Sequence, residues 1–261
     1  MFEAWKAMTR EHRWRLLWMG GVFAALVVSL YYWAIPRDLS RTAWNMPLSG
    51  RVIVLDPGHG GADGGAVSKT GVVEKEVTLK IAGHLRDYLQ EAGALVIMTR
   101  EKDTDLADGA TRSLSRRKTQ DLMRRVQIVK ECGADILVSI HLNAIPSPRW
   151  KGAQTFYHPG SEENKKLASF IQAEIIRTLE NTDRLPKQDG DIFILRASPV
   201  PAAMVEVGFL SNPEEAARLS DERYQKKLAA AIYYGILRYY TDDKPPPEMN
   251  SGEYDIITGK H

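Results

Sequence analysis

The sequence predicts an α/β fold: a single three-layer domain whose largely parallel central sheet of about six strands is flanked by helices, preceded by an N-terminal transmembrane helix. Three observations predict it. β-Branched apolar runs of strand length alternate with stretches whose apolar residues recur at helical spacing. Those runs lack polar alternation, as do strands covered on both faces. One uncharged stretch of twenty residues, Leu16 to Ile35, stands apart near the N-terminus.

That stretch comes first in the chain and follows Lys6, Arg10, Arg13 and Arg15. At about 1.5 Å per residue it spans about 30 Å, the hydrocarbon thickness of a bilayer. A cleavable signal peptide has an apolar region of about 7–15 residues and a small-x-small site. This stretch is longer and ends Tyr31-Tyr32-Trp33-Ala34-Ile35-Pro36, aromatics suited to a membrane interface. The expectation is a cytoplasmic basic stub and signal anchor over residues 1–36, with everything after Pro36 exported, and secretion after cleavage as the alternative. Residues 37–48 read as a linker, 49–240 as one folded domain, and the Pro-rich polar segment 241–261 as a flexible tail.

Within 49–240 the strand candidates are Val52–Leu55, Ala94–Met98, Ile136–Ile140, Gln154–Tyr157, Ile192–Leu195 and Ala203–Glu206. Helical spacing joins Val77, Ile81, Leu85, Tyr88 and Leu89, then Leu122, Val126 and Val129. It recurs at Leu167, Phe170, Ile171, Ile175 and Leu179, and at Leu228, Ile232, Ile236 and Tyr239. Thirty-five Lys and Arg against thirty-three Asp and Glu leave +2, too balanced to indicate a nucleic-acid partner. A single cysteine, Cys132, excludes an intrachain disulfide framework and a Cys-rich zinc site, and reads as a small buried side chain. Met98, Met123 and Met204 read as core.

Chemistry gathers where strands end, the place at which open α/β sheets bind ligands. The first strand runs into Asp56-Pro-Gly-His59-Gly-Gly-Ala-Asp63-Gly-Gly65, the third into His141-Leu-Asn143, and the last into Glu206-Val-Gly208. The glycines do not match G-x-G-x-x-G, because Asp63 falls where the last glycine should be, and no Walker-type lysine follows. Two imidazoles and a carboxylate suit zinc, with a fourth position left for water. Glu74 and Glu76 are the candidate carboxylates. Each also reads as an ordinary acidic residue in a helix's first turn, and of the two Glu74 is the one expected to point back toward His59.

Asp56-Pro-Gly-His59-Gly-Gly, Glu74-Lys75, Ser139-Ile-His141-Leu-Asn143-Ala and Val205-Glu206-Val-Gly-Phe-Leu-Ser-Asn212 together resemble the zinc-dependent N-acetylmuramoyl-L-alanine amidases, over about residues 49–240. The resemblance implies one Zn2+ per chain held by His59, Glu74 and His141, with Glu206 as the catalytic glutamate. Leu85–Glu91, Asp103–Ala107, Ser115–Lys118, Asn143–Ser147 and Trp150–Gln154 look like the germination-specific, spore-cortex branch of that family. That branch implies a peptidoglycan substrate, membrane attachment through the N-terminal helix, an accessory lipoprotein, and a downstream deacetylase that completes muramic δ-lactam. Thr78 stands where many members carry Asn.

Zinc would acidify a bound water and polarise the amide carbonyl, and Glu206 would relay the proton to the leaving amine. Asp56 and Asp63 read as acceptors for the free N–H of a ligand histidine, and Asp56-Pro-Gly reads equally as a plain turn. Asn143 reads as an orienting residue for His141 or substrate, or as a loop starter. His12, His84, His158 and His261 are not expected to bind metal. Arg112, Arg116, Arg117, Lys118, Arg124 and Arg125 read as a solvated face. A zinc carboxypeptidase acting on the stem peptide and a non-catalytic wall-binding protein are the alternative functions.

Overall fold

A computed structural model describes residues 9–34, 46–242 and 244. The expected basic stub before Thr9, most of the linker and nearly all of the tail lie outside the described residues, as do the side chains of Tyr32 and Trp33. The chain separates into two compact units, Met1–Met46 and Pro47–His261. The first contains helix α1, Arg10–Ala34. Its Trp14–Tyr31 window has a mean hydropathy of 1.5, long and apolar enough to cross a membrane by length and composition.

The second unit is built on a six-stranded sheet: β1 (Val52–Pro57), β2 (Leu95–Met98), β3 (Ile136–Asn143), β4 (Gln154–Tyr157), β5 (Lys187–Gln188) and β6 (Ala202–Phe209), in the order β2-β1-β3-β6-β4-β5. β2, β1, β3 and β6 run parallel, and β4 joins β6 antiparallel. The helices are α2 (Glu74–Glu91), α3 (Leu114–Glu131), α4 (Glu162–Leu179), α5 (Phe193–Ala197), α6 (Pro213–Ser220) and α7 (Glu222–Thr241).

Side chains alternate between two apolar layers, which explains the unbroken apolar runs. Ile53, Leu55, Ile136, Val138, Ile140, Ala203, Val205 and Val207 meet α2, α4 and α7 on one face. Val54, Leu137, Ala202 and Met204 meet Val126 and Val129 of α3, and Ile194 and Leu195 of α5, on the other. Each fully buried Leu, Ile or Val contributes about 1.5–3 kcal/mol, so the sheet's position is fixed from both sides.

The expected strand Ile192–Leu195 is instead the short helix α5. The Asp189 carboxylate accepts the amides of Asp191 and Ile192, turning the chain just before it. Apolar side chains in so short a run bury equally well from either conformation. The sixth strand is β5, only Lys187 and Gln188, both exposed. Met123, expected in the core, is exposed on α3. Arg125, expected in a solvated face, is 1% exposed.

Candidate metal centre and catalytic site

The glycine-rich loop after β1 is shaped by close approach. A β-carbon at Gly58 would lie 2.3–2.6 Å from three atoms of the His141 ring, and one at Gly65, where φ is 68°, would lie 2.5 Å from Glu74 Oε2 and 2.7 Å from the His59 ring. His59 itself has φ 61°, a left-handed conformation that a β-carbon disfavours. Two arginines hold it there. Arg125 donates from Nη2 to the His59 carbonyl at 2.7 Å and from Nη1 to the Pro57 carbonyl at 2.8 Å. Arg100, also buried, donates to the carbonyls of Pro57, Gly58 and Lys75 at 2.8–3.0 Å.

Asp56 anchors this clamp. Its Oδ1 accepts from Arg125 Nη1 and Thr99 Oγ1, both at 2.7 Å, and its Oδ2 accepts from Ser139 Oγ at 2.6 Å. Burial pushes the carboxyl upward, but the Arg125 charge and these hydrogen bonds more than offset it and hold the pKa at about 2. Asp121, one turn before Arg125, accepts from Arg125 Nε at 2.8 Å. Asp56 makes none of the described hydrogen bonds to an imidazole. Its geometry is that of a buried ion pair beneath the loop. Burial and repulsion from Arg125 lower Arg100 to about 10.

Asp63 does reach an imidazole: Oδ2 lies 2.9 Å from His59 Nδ1, while Oδ1 meets Lys118 Nζ at 3.0 Å. With Nδ1 occupied, His59 presents Nε2, which lies 3.2 Å from Glu74 Oε1. The same oxygen lies 3.1 Å from His141 Nδ1 and accepts the Leu142 amide at 2.9 Å. Glu74 Oε2 accepts the Ala66 amide at 2.7 Å, and the Glu74 amide returns to the Ala66 carbonyl at 2.9 Å. This reciprocal pair turns the buried Glu74 carboxylate toward the histidines, whereas Glu76 is exposed. Thr78 Oγ1 donates to the Gly58 carbonyl at 3.0 Å, tying α2 to the same loop.

One ligand atom each from His59, Glu74 and His141 lies within 4.8 Å of the others. Donors about 2.0–2.1 Å from a common ion at tetrahedral angles would be about 3.3 Å apart, close to the two measured spacings. Two neutral imidazoles and one carboxylate therefore fit a zinc ion in chemistry and in size. Burial raises Glu74, but hydrogen bonds and charge from His141 and His59 hold it well below the carboxylate range. Burial opposes charge on His59, yet Glu74 and Asp63 raise it overall.

Glu206 is the register neighbour of His141 across the parallel β3–β6 pair. Its Oε2 is buried without a hydrogen-bond partner. Burial raises its pKa to about 7, with the nearby His141 lowering and Glu74 raising it. Asn143 pairs with Phe209 beyond a register shift, and its backbone carbonyl accepts the Leu210 amide. His141 and Glu206 lie within their strands rather than in the loops that follow.

A cleft of about 230 Å³ opens beside the cluster, lined by His59, His141 and Lys118 and walled by Leu122, Phe193 and Met204. His158 lies away from it, its Nδ1 accepting the Gly160 amide at 3.1 Å. Sequence reading missed Arg100 and Arg125. Asp121 and Arg125 four residues apart on the same helical stripe as Val129 were the available signal.

Residues 53–238 match the family model described as N-acetylmuramoyl-L-alanine amidase. The germination-specific N-acetylmuramoyl-L-alanine amidase of Bacillus subtilis is 49% identical over 241 residues, 92% of this chain and 100% of that protein. The amidase LytC of the same organism is 33% identical over 74% of this chain and 36% of its own length. Among solved structures, the CwlD amidase from Clostridioides difficile, in complex with the GerS lipoprotein, superposes with a TM-score of 0.72 at 39% identity, covering 74% of this chain and 100% of that one. An N-acetylmuramoyl-L-alanine amidase from Clostridium difficile 630 gives 0.65 at 32%, covering 74% and 98%.

Proposed function

The chain belongs to the N-acetylmuramoyl-L-alanine amidase family and is an enzyme of that hydrolytic class; we propose that it removes stem peptides from spore-cortex glycan, using one zinc ion held by His59, Glu74 and His141 and Glu206 as the proton shuttle. The observation that carries this reading is the convergence of three ligand atoms within 4.8 Å beside a buried, unpartnered glutamate oxygen.

A zinc ion bound there supplies Lewis acidity toward the amide carbonyl and lowers the pKa of water toward about 7. Asp63 fixes the His59 tautomer so that Nε2 is left free for the ion. Glu74 brings the negative charge. Glu206, raised to about 7 by burial in the metal-free chain and lowered from there by a neighbouring cation, can hold or release a proton near or below neutrality. It accepts the proton of the attacking water on Oε2, and the same proton passes to the L-alanine nitrogen as the C–N bond to the lactyl carbonyl breaks. A positioned shuttle of this kind is worth about 10²–10⁴ in rate. Glycan with a free lactyl carboxylate remains, and the L-alanine-headed peptide leaves.

The likeness to a germination-specific relative supports a role in germination and the cortex as the setting; in that setting the product glycan would pass to a separate deacetylase that forms muramic δ-lactam. A relative crystallised with a lipoprotein supports an accessory lipoprotein partner for this chain. Helix α1 supports attachment to the membrane, and the basic residues before it support export of the chain that follows.

The test is mass spectrometry of cortex muropeptides incubated with the full chain in detergent and one equivalent of zinc. Muramic acid freed of its peptide, lost on chelation, is the expected result. A shortened stem still attached through L-alanine would identify a carboxypeptidase and overturn the reading. Glu206→Gln should keep its zinc and lose turnover by about 10²-fold or more.

A further inference from the structure

The cationic side chains around the site are nearly all committed. Lys75 meets Asp103, Arg117 meets Asp105, Lys118 meets Asp63, and Arg125 meets Asp56 and Asp121. Arg100 is buried against backbone carbonyls. Arg184 differs: it is half-buried, and no carboxylate meets it among the described residues.

Arg184 is nevertheless held firmly. Its carbonyl accepts from the buried Gln172 at 2.8 Å, and its amide donates to Thr182 Oγ1 at 3.2 Å. Its guanidinium lies 5.5 Å from the Trp150 ring centre and 5.4 Å from that of Phe209, and Nη1 donates to Gln154 Oε1 at 3.3 Å. Gln154 is the residue opposite Glu206 in the antiparallel β4–β6 pair. A cation stacked on two rings and oriented in advance loses little freedom when an anion arrives.

We propose that Arg184 binds the free α-carboxylate of the second residue of the stem peptide, and so sets the enzyme's preference for an acidic over an amidated stem; this rests on the amidase reading. In that reading Glu206 protonates the L-alanine nitrogen. Five covalent bonds separate this nitrogen from the α-carboxylate carbon of a γ-linked D-glutamate in the next position, about 6–7 Å when extended. Gln154 stands one strand spacing, about 4.8 Å, from Glu206, and its side-chain oxygen accepts from Arg184. The leaving peptide therefore carries its first carboxylate toward Arg184.

Two synthetic muropeptides that differ only at this position, α-carboxylate against α-carboxamide, test the assignment. For the full-length enzyme kcat/KM should favour the acid about 10-fold, carried in KM. In Arg184→Met the ratio should fall to near one, and Arg184→Lys should recover part of it. Both substrates meet the same protein, so a loss of folded enzyme cancels in the ratio. Calorimetric binding of L-Ala-γ-D-Glu and its α-amide to zinc-loaded Glu206→Gln, with and without Arg184→Met, gives the same comparison without turnover. A preference that survives Arg184→Met, or its absence in the parent protein, overturns the assignment. Binding preference without cleavage of either muropeptide would instead sink the amidase reading and leave Arg184 as a carboxylate site.

Discussion

Replacing Arg125 by methionine should destabilise the catalytic unit by about 3–5 kcal/mol at neutral pH, the cost of stranding one partner of a buried pair. It should also change how stability responds to acid. In the parent protein the Asp56 pKa lies at about 2 against an ordinary 3.8, a difference worth about 2 kcal/mol. Because the folded value is the lower one, that contribution is complete above 3.8 and is lost as pH falls from there toward 2. The rest of the cost comes from Asp121 and from the carbonyls of Pro57 and His59, which lose their donor. Without Arg125 the Asp56 carboxyl loses its hydrogen-bonded cation and keeps only the charges of Arg100 and His141 nearby, and burial, the largest influence on it, raises its pKa above 3.8. Folding then takes up a proton, and the variant regains stability on acidification. The gap between the two proteins should be widest at pH 7 and should narrow steadily toward pH 3. Urea titrations of the full chain in detergent, followed by circular dichroism at each pH, measure it. Asp56→Asn combined with Arg125→Met should cost less than the sum of the single changes, since neither charge is left alone. A gap that stays constant from pH 7 to 3, or one below about 0.5 kcal/mol, would refute the clamp.

Gly65→Ala places a β-carbon 2.5 Å from Glu74 Oε2 at a backbone φ of 68°, so the purified protein should carry well under one equivalent of zinc while keeping its far-ultraviolet spectrum; full metal content would mean the loop has slack. Asp63→Asn should weaken zinc binding about 10–100-fold by releasing the His59 ring, read by competition against a fluorescent chelator, and unchanged affinity would remove Asp63 from the centre. The burial that raises Glu206 to about 7 acts in the metal-free chain, and a neighbouring cation lowers it. An acidic limb of kcat/KM should therefore lie at or below about pH 7, with activity rising as Glu206 loses its proton. Persistence of that limb in the residual activity of Glu206→Gln would assign it to another group.

The layered fold was legible because both sheet faces are covered, leaving four strands with short apolar runs, a fifth marked by Phe156 and Tyr157, and four long helices as amphipathic periods. β5 was not, since two exposed polar residues carry no period. α6 was announced by Asn212-Pro213, whose asparagine accepts the amides of Glu214 and Glu215, but its eight residues are too short for an apolar stripe to stand out. At the site, the motif residues were readable because glycine, histidine and glutamate are conspicuous at strand ends. The clamp was hidden for the opposite reason. A run of arginines reads as solvent-facing, and only the helical phase separates buried Arg125 from exposed Arg124. Arg184 carried no signal at all, because its meaning depends on Gln154 and Phe209, distant in sequence.

His141 and Glu206 are opposite each other on adjacent parallel strands, so their separation is a property of the backbone ladder and owes nothing to loop length. A slip of β6 by one residue would turn Glu206 toward the α4 and α7 side and bring Val205 or Val207 into the cleft, while burying a carboxylate among aliphatic side chains. A chain paired in that register lacks the His141–Glu206 juxtaposition on which the site depends. The amidase site therefore cannot exist before the β3–β6 pair has closed.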